Sequence, residues 1–172
     1  HNWMARMGLE PRPEAFGWFD KLALALLVVA AVCWIVQPTA LPSGLALLAA
    51  SLVHLARLLR WRGMWTVQEP ILLVLRIGYL WLVVSLALLG VSALTPSYLA
   101  PSAALHALTA GAIGTMTLAV MTRVSLGHTG REIKAGGATL AIYVLVNMGA
   151  LLRVAAPLFP RDYLYALTLS GI

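Results

Sequence analysis

Three histidines lie in or beside apolar runs of this chain: His54, His106 and His128. Neutral imidazole is a common metal ligand and an axial ligand of haem iron. Two of the three bracket residues 106–131, which carry an apolar, glycine-containing stretch between polar ends. His106 opens that stretch. An ionisable group inside such a run marks a functional site, unless it only bridges to a neighbouring helix. At the other end stand Leu126, Gly127, His128, Thr129, Gly130 and Arg131. The two glycines permit unusual backbone conformations, and such a loop can turn amides and side chains toward an anion such as a haem propionate. The plainer account is an ordinary basic loop. His54 is followed at i+3 by Arg57 on the same helical face, and Arg76 enters another apolar run at similar depth. Arg57 is expected to snorkel to the headgroups, whereas Arg76 asks for a buried anionic partner. Arg131 follows His128 at i+3 as a further anion partner. His1 is assigned no role.

The elements that carry these residues are transmembrane helices. Apolar runs cover residues 18–37, 43–61, 71–94, 103–124 and 136–156, and a sixth begins at residue 163. Each complete run has the length that crosses about 30 Å of hydrocarbon as a helix. None shows the period-2 alternation of barrel strands. The expected fold is therefore all-α: a polytopic transmembrane bundle of five complete spans plus the start of a sixth. Residues 1–17 form a polar interfacial linker and residues 18–172 the transmembrane domain. The absence of an initial Met and the apolar end suggest the expectation of a piece of a longer protein. Within span four, Ala107, Gly111 and Thr115 recur at i+4, as do Ala110 and Gly114. This is the small-residue spacing that lets helices approach closely, with room for a flat macrocycle as the less favoured alternative.

Loop charge gives the orientation. Arg6, Arg12, Lys21, Arg57, Arg60, Arg62, Arg123, Arg131 and Lys134 fall on one side, and Arg153 and Arg161 on the other: nine against two. The positive-inside rule then puts the amino terminus and the His128 loop in the cytoplasm. His106 sits near the outer face, roughly 27 Å in depth from the far end of its span at 1.5 Å per residue. His106 and His128 therefore belong to two sites. His54, Arg76 and His128 share the cytoplasmic layer.

Composition excludes much else. The chain is 61% hydrophobic and 10% charged, against about 25% charged for soluble domains, so its solvent is the lipid bilayer. Its basic residues cluster in short loops, which is a topology signal and not a nucleic-acid surface. Cys33 alone makes no internal disulfide and no covalent haem motif. Phosphate-binding, nucleophile-elbow and zinc-protease motifs are missing. Met116, Met121 and Met148 read as core residues before copper ligands. No residue is assigned a catalytic role, and whether the protein is an enzyme is left open.

The pattern from His106 through Gly111 and Gly114, on through Met121, Thr122 and Arg123 to Gly127, His128, Thr129, Gly130 and Arg131, resembles the NnrS family. So do Trp61, then Glu69, Pro70, Ile71 and Leu72, then Gly78, Tyr79, Leu80 and Trp81, and Arg153 before Pro157. The resemblance covers nearly the whole chain. It implies a bacterial inner-membrane protein of about twelve helices that contains non-covalent haem and copper and is linked to nitric oxide metabolism and nitrosative-stress tolerance. This chain would be the carboxy-terminal half, partnered by the amino-terminal half. His106 and His128, with Arg123 and Arg131 beside them, match the family pattern. One departure is Arg76, where the family pattern has histidine. If that position ligates metal in relatives, this chain has lost the ligand. The competing reading is a non-redox transporter or structural subunit whose histidines bridge helices.

Overall fold

The computed structural model describes residues 15–61, 69–97, 99, 101–158 and 168–169. Its long elements are α1 (Trp18–Val36), α2 (Leu41–Arg60), α3 (Pro70–Leu94), α4 (Pro101–His106), a π-helical segment (Ala107–Gly114), α5 (Thr115–His128) and α6 (Gly137–Ala155), ending in a 3-10 turn at Ala156–Leu158. There is no strand among the described residues. The segment Pro101–His128 runs as one continuous span, and with it five helices are long and apolar enough to cross a membrane. The linker at 1–14, the loop at 62–68 and nearly all of the sixth run lie outside the described residues.

Helix ends follow the punctuation of the sequence. Pro70 and Pro101 stand at the first turns of α3 and α4, where a missing N–H costs nothing. Asp20 accepts a hydrogen bond from the Gly17 amide at 2.9 Å, the N3-to-cap half of a capping box. Span four runs past residue 124, where the sequence suggested a stop. It continues through Ser125, Leu126 and Gly127 to His128. There the Arg131 amide donates to the Leu126 carbonyl at 3.0 Å and the Gly130 amide to the Gly127 carbonyl at 3.3 Å. Gly130 has φ +66°. This is a Schellman stop with glycine at the one left-handed position.

α3 is the hub. Of its most apolar window 44% is buried, against 17% for α1 and 11% for α6, so the outer helices keep most of their surface for other partners or lipid. α3 packs on α2 along one side and on α4, the π segment and α5 along the other. α1 covers α2, and α6 covers span four. Lipid tails are as apolar as leucine, so close backbone approach and polar contacts must hold these helices together. Gly44 and Gly90 provide one such approach: a Cβ on Gly90 would lie 3.0 Å from the Gly44 carbonyl oxygen. Gly111 provides another. A Cβ there would lie 2.5 Å from the Trp81 ring. The Ala107, Gly111 and Thr115 stripe is buried as its spacing suggested, and the space beside Gly111 holds the Trp81 indole.

Candidate functional site

Two polar networks cross the bundle, and α3 carries a member of each. Tyr79 and Trp81 are two residues apart, about 200° around a helix at 3.6 residues per turn, so they face opposite neighbours. On one face the Trp81 indole N–H donates to Asn147 Oδ1 at 2.9 Å. The Thr115 hydroxyl reaches the same oxygen at 3.4 Å. The Asn147 amide in turn donates to the Tyr143 carbonyl at 2.8 Å. This network ties α3, α5 and α6.

The other face holds the ionisable site. Arg57 Nε donates to Asp20 Oδ1 at 2.7 Å, with the two side chains 16% and 12% exposed. Arg57 Nη1 donates to the Tyr79 hydroxyl at 2.8 Å. The Tyr79 hydroxyl lies 2.5 Å from His54 Nδ1, and His54 Nε2 lies 3.1 Å from the Ala23 carbonyl oxygen. Proton positions follow by elimination. A carbonyl only accepts, so Nε2 carries the hydrogen. Neutral His54 then accepts at Nδ1, and Tyr79 donates to it while accepting from Arg57. The result is a directed chain across α1, α2 and α3 with each of these polar atoms partnered. The Trp61 ring packs 4.7 Å from Tyr79, centroid to centroid. The Arg57 guanidinium lies 5.6 Å from the Trp61 ring and 5.5 Å from the Tyr79 ring.

The expected site residues are distributed as follows. His54 is buried, and both ring nitrogens are engaged, so metal ligation there would cost one of its two bonds. Arg57 turns inward to Asp20 and Tyr79 where the sequence suggested snorkelling. Arg76 is half-exposed and makes no hydrogen bond or ion pair with any described residue. Arg123, His128 and Arg131 are exposed. The amides of Gly130 and Arg131 are used by the helix stop, which leaves the side chains of His128 and Arg131 as the groups that would meet an anion. His106 is half-buried at the opposite end of the same span, immediately before the π segment. It has no hydrogen bond or ion pair among the described residues. The structure therefore keeps His106 and His128 at opposite ends of one helix and brings His54 to neither. Reading by sequence passed over Asp20 and Tyr79 as site members. The signal was topological: the start of α1 and the end of α2 share one side of the bundle, so Asp20 and Arg57 lie at one depth.

No three His, Cys, Asp or Glu side chains gather into a chelating group among the described residues. A copper centre would need ligands from outside them. A single imidazole could hold a haem iron, and His106 is one without a hydrogen-bond or ion-pair partner among the described residues; Ala103, Ala104 and Ala107, close to it in sequence, are buried. An apolar cleft of about 770 Å³ opens between α3 and α6, lined by Leu73, Ile77, Trp81, Val84, Leu140 and Val144 among others. Its lining includes Met148 and no histidine. Met121 is exposed, whereas Met116 packs against Gly78.

Residues 1–172 match the profile of the family described as NnrS protein. No curated protein and no solved structure matches the chain.

Proposed function

The chain belongs to the NnrS family, and from that membership we propose that it forms part of a membrane protein that binds haem, with copper as a second metal, and handles nitric oxide or protects metal centres from it. One observation carries the reading. His106 is a half-buried imidazole without a described partner, placed at the start of an eight-residue π segment inside a membrane span. π-helical turns are rare and concentrate at functional sites. Bound haem would supply the iron on which a diatomic ligand is held. His106 would be the residue of this chain that donates to it. His128, Arg123, Arg131 and Arg76 would meet anionic groups at the other end of the bundle, and the remaining ligands would come from the amino-terminal half.

A second reading is a non-redox helical membrane protein whose histidines bridge helices. His54, with both nitrogens bonded across helices, favours it for that residue. The test is spectroscopic. Full-length protein purified from cells supplied with haem should show a Soret band that shifts when nitric oxide is added. His106→Ala should lose or shift that band while His128→Ala alters a different component or none. A well-folded, colourless, metal-free protein would sink the haem reading and leave the second.

A further inference from the structure

We propose that Tyr79 and His54 form a proton-coupled redox pair, at which a lipid-soluble one-electron oxidant is reduced. The geometry carries this independently of haem. A phenol that loses an electron becomes a strong acid, so a buried phenol is oxidised readily only when a base takes its proton at the same moment. Tyr79 has that base. Its hydroxyl is 2.5 Å from His54 Nδ1, and Nδ1 is the unprotonated nitrogen because Nε2–H is committed to the Ala23 carbonyl. His54 and Tyr79 are 1% and 4% exposed, so water does not compete for the proton. Tyr143 is the internal contrast. It is equally buried, and its hydroxyl has no hydrogen-bond partner among the described residues.

The step balances with an uncharged nitrogen-oxide radical of the nitrogen dioxide class. One electron leaves the Tyr79 ring and reduces the oxidant to nitrite. The Oη–H bond breaks, an Nδ1–H bond forms, and a neutral phenoxyl radical remains beside an imidazolium. Nε2–H keeps its bond to the Ala23 carbonyl. Arg57 continues to donate to the phenoxyl oxygen. Its positive charge opposes a second cation nearby, and Asp20 at 2.7 Å offsets that charge. A water-soluble one-electron reductant of the ascorbate class restores the phenol: the electron enters through the Trp61 ring in contact with Tyr79, and the proton returns from Nδ1.

The test uses the full-length protein in lipid nanodiscs, with nitrogen dioxide generated by pulse radiolysis and radicals trapped by freezing for paramagnetic resonance. Tyrosine deuterated at the β-carbons identifies a tyrosyl signal by its narrowed hyperfine pattern. The expected result is a tyrosyl radical that Tyr79→Phe abolishes and Tyr143→Phe leaves in place. His54→Gln, which retains an acceptor but no base, should slow its formation by about tenfold or more. Formation in the unmodified protein should be slower after equilibration in deuterium oxide, a reading that needs no variant to fold. A protein with no tyrosyl signal, a signal that survives Tyr79→Phe, a rate untouched by His54→Gln, or the absence of a solvent isotope effect would each overturn the pair.

Discussion

Replacing His54 removes one side chain but strands two partners. The Tyr79 hydroxyl loses its acceptor, and the Ala23 carbonyl loses a donor, inside a region closed to water. A buried polar group left unpaired costs about 1–3 kcal/mol, and polar contacts between membrane helices are worth about 0.6–2 kcal/mol each. His54→Ala should therefore destabilise the folded protein by about 2 kcal/mol, and Tyr79→Phe, which strands His54 Nδ1 and an Arg57 Nη1 donor in turn, by a similar amount. Unfolding in mixed detergent micelles measures both. The double variant should cost less than the sum of the two singles by about 0.5 kcal/mol or more, and strict additivity would show that the two residues act separately. Their contact was hard to read in sequence because nothing in one dimension relates His54 to Tyr79, or Arg57 to Asp20. His54 stood out as an imidazole within an apolar run, with Arg57 beside it at i+3.

At the scale of the element, spans were legible and their ends less so. Apolar length is a local property, and the five runs needed nothing beyond the thickness of hydrocarbon. The end of span four was misplaced because Ser125, Gly127 and His128 are loop-like by type. A helix that has left the hydrocarbon can carry polar residues without cost, and the stop waits for Gly130 at φ +66°. The π segment was invisible for a different reason. Its residues are alanine, glycine and other side chains common in any membrane helix, and widening the turn depends on what lies against it. Here that is Trp81 on Gly111. The consequence is testable with one methyl group. Gly111→Ala places a Cβ 2.5 Å from the Trp81 ring. Overpacking of this kind costs about 1–3 kcal/mol, and displacement of the indole also strains its bond to Asn147. Gly127→Ala, in α5 with nothing within 4 Å of the new Cβ, should be neutral or stabilising by up to about 1 kcal/mol. A Gly111→Ala that is neutral or stabilising like Gly127→Ala would mean that helix propensity, and not the Trp81 contact, governs Gly111.

The whole molecule is a hub with two unequal flanks, and its direction in the membrane decides what each site can meet. With five spans, the beginning of α1, the end of α2 and the end of α5 share one side, so the Arg57 network and His128 face the same compartment while His106 lies toward the other. The loop charges, nine against two, predict that the shared side is cytoplasmic. Cys33 is the chain's lone cysteine, so Cys33→Ala gives a background in which single cysteines report topology. Thr129→Cys, in the turn after α5, should resist a membrane-impermeant maleimide in spheroplasts and react once they are lysed. Ser97→Cys, in the exposed turn after α3, should react in intact spheroplasts. The reverse pattern would invert the bundle. It would place His106 toward the cytoplasm and deliver water-soluble reductants to the Trp61 end from outside the cell. Labelling at both positions in intact spheroplasts would mean that Thr129 and Ser97 do not lie on opposite sides of a continuous span, and the separation of His106 from His128 would fall with it.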